Sequence, residues 1–209
     1  MNILVIGAHA DDIELGCAGA ICKHISEGCN VYELLITHSA YESYDGTVIR
    51  SKETAMKECL QASKVLGIKK TICLEYETKY VEYGVQLIED INKVIDEYKI
   101  DTIYTHWDGD INQDHSAVAR ATIVAGRNVP RILMYRSNWY KSNKDFTGKF
   151  YIDISEYLDT KINAIKSHKS EVDKRGEKWI DFFISQNRIF GIEIGVEHAE
   201  LFQVIKWMY

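Results

Sequence analysis

The chain has 209 residues, of which 46% are hydrophobic and 27% charged, a composition that describes a folded globular protein and excludes a disordered one. Twenty-five Lys and Arg against 31 Asp and Glu leave a formal charge of −6. With no basic block anywhere, a nucleic-acid footprint and an electrostatic membrane anchor are both excluded.

The first element is the apolar run Ile3–Ile6, which ends at Gly7 and reads as a strand covered on both faces. Asp11 and Asp12 follow it too soon for a secretory apolar core, and no run approaches the roughly 18 residues of a membrane span. An integral membrane segment is therefore not expected. A helix is expected over about 14–27, with Gly28 past its end. Val31–Thr37 is the second strand. Helical spacing then covers 50–66, with Ala55, Cys59, Ala62 and Leu66 on one stripe and Gly67 as the stop. A third strand at Thr71–Leu74 precedes a helix marked by Leu87, Ile88, Ile91, Val94, Ile95 and Tyr98. Ile100–Tyr104 is the fourth strand, a short helix spans about 115–125, and Ile132–Tyr135 follows. Beyond these lie a further strand at Phe150–Ile154, a helix over about 156–169, and a tail with an aromatic-rich end at Leu201–Tyr209.

This alternation predicts right-handed β-α-β crossovers. The fold class expected is α/β, a Rossmann-like three-layer α/β/α domain with a mostly parallel sheet and a C-terminal extension. No repeat or linker divides the chain, so 1–209 is read as a single domain. Five dispersed cysteines without a C-x-x-C pair suit reduced core thiols and a cytoplasmic location.

Two loops collect metal-capable side chains, and both follow strands at their carboxyl ends, where ligands of parallel sheets sit. The first is Gly7-Ala8-His9-Ala10-Asp11-Asp12-Ile13-Glu14; the second runs from Thr105-His106 through Asp110-Ile111-Asn112-Gln113-Asp114 to His115. The three-residue spacing lets His9 and Asp12 face one point from a turn, and His115 closes the set from the opposite loop. Two imidazoles and one carboxylate with open positions suit a catalytic Zn2+ or a non-haem Fe2+. Asp11, next to a ligand, points elsewhere and suits a general base acting on metal-activated water. Glu14 fits either a first-turn acid or a support for the ligands. Asp114 fits either an orienting carboxylate or a solvated charge, and His168 fits a buried hydrogen-bonded residue. Gly16 and Gly19 lack the G-x-G-x-x-G context and suit close helix–sheet packing. Trp107 and Trp139 are candidates for stacking on a sugar ring.

Ala8-His9-Ala10-Asp11-Asp12-Ile13-Glu14 resembles the Ala-His-Pro-Asp-Asp-Glu signature of the LmbE-like, or PIG-L, metal-dependent N-deacetylases. Asp110 through His115 resembles that family's second metal motif. Arg50-Ser51-Lys52-Glu53 resembles its Arg-x-x-Glu segment, and Phe150–Ser155 with Lys161, Ala164, His168, Lys169 and Ser170 resembles its C-terminal pattern. The resemblance implies that His9, Asp12 and His115 bind the metal, usually zinc, that Asp11 is the general base, and that Arg50 contacts substrate. It implies a small N-acetylated sugar as substrate, free or linked to a nucleotide or lipid, and is compatible with a homo-oligomer. Two positions depart from it: Ala10 replaces the usual proline, and Asn112 stands where several members carry an acid histidine. Asn112 and His106 are then the expected substrate or oxyanion contacts, and the acid is open between His106, His198 and Asp11. A non-catalytic sugar- or nucleotide-binding domain is the alternative reading.

Overall fold

The computed structural model describes residues 1–208. Seven strands form one sheet: β1 (Asn2–Gly7), β2 (Asn30–Thr37), β5 (Lys70–Tyr76), β6 (Thr102–His106), β7 (Arg131–Tyr135), β8 (Phe150–Asp153) and β9 (Ala199–Trp207). Their spatial order is β5-β2-β1-β6-β7-β9-β8. β1 pairs in parallel with both β2 and β6, and β2–β5 and β6–β7 are also parallel. β9 runs antiparallel to both β7 and β8. A small hairpin, β3 (Tyr41–Glu42) with β4 (Val48–Arg50), lies apart from the sheet.

Ile3, Leu4, Val5 and Ile6 are all fully buried, which explains why β1 carries no polar alternation. Leu4 and Ile6 face one core with Ile91 of α3 (Val85–Tyr98) and Val118 of α4 (Gln113–Ala125). Ile3 and Val5 face the other, with Ile21 of α1 (Asp12–Ser26), Ala62 of α2 (Lys52–Leu66) and Ala164 of α5 (Leu158–Ser167). The expected three layers are therefore present. α6 (Lys169–Arg175) and α7 (Glu177–Ile194) complete the chain's helices, and Trp179, Ile180 and Phe183 pack on Leu15 and Ile165. Among the described residues no helix is long and apolar enough to cross a membrane.

The strand order reverses between β1 and β6: the chain winds outward through β2 and β5, then crosses back. The loops after β1 and β6 diverge there and leave a crevice at the strands' carboxyl ends. Both metal-capable loops open into it.

α1 is broken at Cys17 (φ −149°, ψ 15°). The break frees backbone groups in the core, and a buried ion pair takes them up. Lys161 Nζ donates to the Leu15 carbonyl (2.9 Å) and to Glu200 (2.6 Å), whose carboxylate accepts the Gly19 and Ala20 amides at 3.0 and 2.8 Å. Close packing accounts for the α1 glycines, as expected. A Cβ on Gly16 would lie 2.1 Å from the Tyr135 ring, and one on Gly19 would lie 2.5 Å from Ile154.

One expectation needs correction. The helix expected over 156–169 is a 3-10 turn (Ser155–Tyr157) and α5, and it stops at His168, where ψ is 61°. The expected C-terminal extension supplies β8 and β9, which continue the main sheet. Of its aromatic-rich end, Tyr209 lies outside the described residues.

Candidate active site

The turn after β1 is shaped by its own backbone bonds. Asp11 and Asp12 amides donate to the His9 carbonyl (3.1 and 3.3 Å), and the His9 amide donates to Asp12 Oδ2 (2.7 Å). The turn presents the His9 and Asp12 side chains on one side. His115, in the first turn of α4, meets them from the β6 side. Ligand-capable atoms of His9, Asp12 and His115 lie within 4.8 Å of one another, so the three expected ligands converge.

The separations suit a cation. His9 Nδ1 and His115 Nε2 are 3.1 Å apart, Asp12 Oδ2 is 3.3 Å from His9 Nδ1, and Asp12 Oδ1 is 3.2 Å from His115 Nε2. Donors around a tetrahedral ion with bonds of about 2.0–2.1 Å are spaced about 3.3 Å apart. The remaining imidazole nitrogens are tied to carboxylates. Asp114 Oδ2 holds His9 Nε2 at 2.8 Å, and Asp110 Oδ2 holds His115 Nδ1 at 3.1 Å. Each bond sets the tautomer and aims the free lone pair at the common point. Asp114 is thus an orienting carboxylate, and its own place is fixed by the Lys79 and Val81 amides (2.7 and 3.2 Å).

The electrostatics agree. Burial alone would lower His9 and His115. Hydrogen bonds to Asp114 and Asp12 instead raise His9 to about 9, and the Asp12 charge with an Asp110 hydrogen bond raises His115 to about 10. Against its own burial, Asp12 is held well below the carboxylate range by His115 and His106. The cluster is built to hold positive charge. Two protonated nitrogens 3.1 Å apart would repel, whereas one cation accepts both lone pairs, so these residues fit a divalent ion.

Asp11 lines a cavity of about 210 Å³ beside the cluster. Burial, then the Asp12 and Glu171 charges, raises it to about 6, with Arg50 opposing. Among the described residues its carboxylate has no hydrogen-bond partner, which leaves both oxygens for a ligand in the cavity.

The other expected contacts divide. Asn112 lines the cavity, but its Oδ1 is spent capping α4 through the Asp114 and His115 amides (2.9 and 3.4 Å), leaving Nδ2 as the donor. His106 does not line the cavity. It ends β6 fully buried, stacks on His115 (centroids 4.0 Å, 18°), and accepts the Ala8 amide at Nε2 (2.9 Å). Burial and the His115 charge lower it to about 4, so it stays neutral under the metal turn. Arg50 reaches the cavity wall, yet its guanidinium serves the Ala10 carbonyl (3.1 Å), Glu58 (2.9 Å) and His168 Nδ1 (3.2 Å). His168 is fully buried, as expected, with Glu14 Oε2 3.4 Å from its Nε2; Glu14 supports this network and not the cation cluster. Trp139 lines the cavity. Trp107 does not: it packs on Phe146 and covers Gly109.

Sequence reasoning missed Ser137, whose hydroxyl donates to Asp12 Oδ1 (3.0 Å), and Asn138, which donates to Asp110 Oδ1 (3.0 Å). It also missed Ser39 and Glu171 on the cavity wall. Only Asn138 and Ser137, just past β7, had a signal available: a polar run at the carboxyl end of a strand.

The GlcNAc-PI de-N-acetylase (PIG-L) family model matches residues 4–125. The uncharacterized deacetylase YaiS of Escherichia coli K12 is 33% identical over 178 residues, covering 81% of this chain and 91% of that protein. The N,N'-diacetylchitobiose deacetylase of Pyrococcus horikoshii shares the fold with TM-score 0.84 at 21% identity, covering 98% of this chain and 83% of that one. The conserved protein TT1542 of Thermus thermophilus does so with TM-score 0.83 at 22% identity, covering 99% and 95%. The matched segment runs from β1 to the end of α4 and so contains the whole His9–Asp12–His115 cluster and both carboxylates that orient it; the chain belongs to the PIG-L family of de-N-acetylases, enzymes that hydrolyse amide bonds.

Proposed function

We propose that this enzyme is a metal-dependent deacetylase that cleaves the acetamide of an N-acetylated amino sugar, or of its nucleotide or lipid conjugate, to acetate and a free amine. Zn2+ is the proposed ion, with Fe2+ as the alternative. The observation that carries the reading is the convergence of His9, Asp12 and His115 beside Asp11, a carboxylate in the same cavity that has no hydrogen-bond partner among the described residues. When bound, such an ion polarises a carbonyl and lowers the pKa of water to about 7.

The chain's own residues then have distinct tasks. His9, Asp12 and His115 hold the ion, and Asp114, Asp110 and Ser137 keep them aimed. Asp11 takes a proton from the attacking water as the C–O bond forms at the acetamide carbon. Asn112 Nδ2 donates to the developing oxyanion. The same proton then passes from Asp11 to nitrogen as the C–N bond breaks. Of the other acid candidates, His106 is buried and kept neutral by burial and the His115 charge, and His198 is not among the residues that line the cavity, which favours Asp11 for the acid step as well. Trp139, Tyr140 and Trp179 offer flat apolar faces to a sugar ring.

The test pairs elemental analysis with acetate release from N-acetylglucosamine and its phosphate, nucleotide and lipid conjugates. Wild type and Asp11→Asn are expected to hold about one ion per chain, and His115→Ala to lose it. Asp11→Asn should turn over about 10²–10⁴ times more slowly. Unchanged turnover in Asp11→Asn would remove the base assignment. Wild-type protein that takes up no transition metal on reloading would overturn the reading itself.

A further inference from the structure

The backbone of Ala10 is gripped on both sides. Its N–H, in the peptide it shares with His9, donates to Ser39 Oγ (2.8 Å), and its carbonyl, in the peptide it shares with Asp11, accepts from Arg50 Nη1 (3.1 Å). These two peptides join His9 to Asp11, so their orientation sets where the base and both first-loop ligands point. An N–H is available there because the residue is not proline; a proline would have none, and would restrain φ covalently instead.

Both grips are built from buried side chains. Ser39 is 2% exposed and adopts φ 58°, a left-handed conformation that glycine enters without steric cost. A serine is kept at this strained position, and its hydroxyl is the group that reaches Ala10. Thr37 Oγ1 accepts the Ser39 amide at 3.1 Å and fixes the residue in turn. On the other side Arg50 is 3% exposed and is held by Glu58, which also accepts the Ser170 amide and hydroxyl (2.8 and 2.6 Å). The break at His168 is what brings Ser170 to Glu58 and His168 Nδ1 to Arg50.

We propose that Ser39 and the Arg50–Glu58 pair are positioning residues that lock the two peptides flanking the Ala10 Cα, doing by hydrogen bonds what a proline ring does by covalent restraint. The inference rests on the metal and base assignments above, but its first readout is metal affinity, which needs no turnover. Ser39→Gly removes the hydroxyl and keeps the backbone conformation, so folding is preserved. Zn2+ competition against a chromogenic chelator is expected to show affinity about 10-fold weaker for Ser39→Gly and for Glu58→Gln. Adding Ala10→Pro to Ser39→Gly is expected to recover most of that loss. With an acetylated substrate, Ser39→Gly should lower kcat about 10-fold or more with KM nearly constant. Wild-type Zn2+ affinity in both single variants would overturn the proposal. So would a rise in KM alone in Ser39→Gly, which would make Ser39 a substrate contact, or an Ala10→Pro addition that rescues nothing. Absence of turnover in wild type with the affinity pattern intact would count against the deacetylase reading and leave the clamp standing.

Discussion

Asp114 and Asp110 carry one imidazole each, and their surroundings differ. Asp114 is also the anchor of the loop after β5: its carboxylate draws in the Lys79 and Val81 amides, and Lys79 there adopts φ 76°. Replacing it frees a strained loop as well as a histidine ring. Asp114→Asn is therefore expected to weaken metal binding about 10–100-fold and to raise KM as well, because Lys79 and Thr78 line the cavity; metal titration and steady-state kinetics check both. Asp110→Asn should weaken the metal comparably with a smaller effect on KM. At this scale the convergence of His9, Asp12 and His115 was legible, because short-range spacing puts His9 and Asp12 on one turn and the loops after neighbouring parallel strands meet at one end of the sheet. Ser39 and Ser137 were not legible, since a lone loop serine has no periodic signature and its partner lies far along the chain. His106 differs for another reason: it reads as a loop residue, but β6 runs two residues further and its ring is buried.

The broken first helix shows how an element depends on distant ones. Lys161 and Glu200 come from α5 and β9, are almost fully buried, and together satisfy groups on both sides of the Cys17 break. Removing one partner leaves a buried charge and an unpaired carbonyl, so Lys161→Met is expected to cost about 3–5 kcal/mol in urea unfolding. Gly16→Ala would push the Tyr135 ring, whose hydroxyl donates to the Ile6 carbonyl (2.7 Å) just before the metal turn. A loss of about 1–3 kcal/mol is expected, with activity falling alongside, as paired melting and kinetic measurements would show. Strands β1, β2, β6 and β7 and helices α2 and α3 could be read from the sequence because continuous apolar runs and clean 3.6-residue stripes survive in them. The α5–α6 break could not: residues 156–169 keep helical spacing, and the interruption answers to Arg50 and Glu58, far off in sequence. β9 was obscured because Glu200, buried for the helix break, interrupts its apolar pattern.

For the whole molecule, the buried carboxylate of Glu33 links stability to pH. Burial, then the charge of Glu14, raises it from 4.5 to about 7, although Ser63 and Thr71 hydroxyls donate to it (2.5 and 2.7 Å). The folded state therefore holds this proton more tightly than the unfolded chain, and its contribution to stability falls as pH rises from about 4.5 through 7. Glu33→Gln is expected to gain about 1–3 kcal/mol at pH 8 and nothing at pH 4.5, read from melting curves at the two pH values. The placement of β9 has a consequence for how the molecule is made. β8 pairs only with β9 among the described strands, and β9 is the last of them to be synthesised. Until β9 is made, a nascent chain that already carries every residue of the metal cluster has one flank of its sheet unpaired, and the Gly19 and Ala20 amides lack Glu200. The metal cluster is thus encoded early and its sheet completed late, and in the interval between an unpaired strand edge is open to wrong partners.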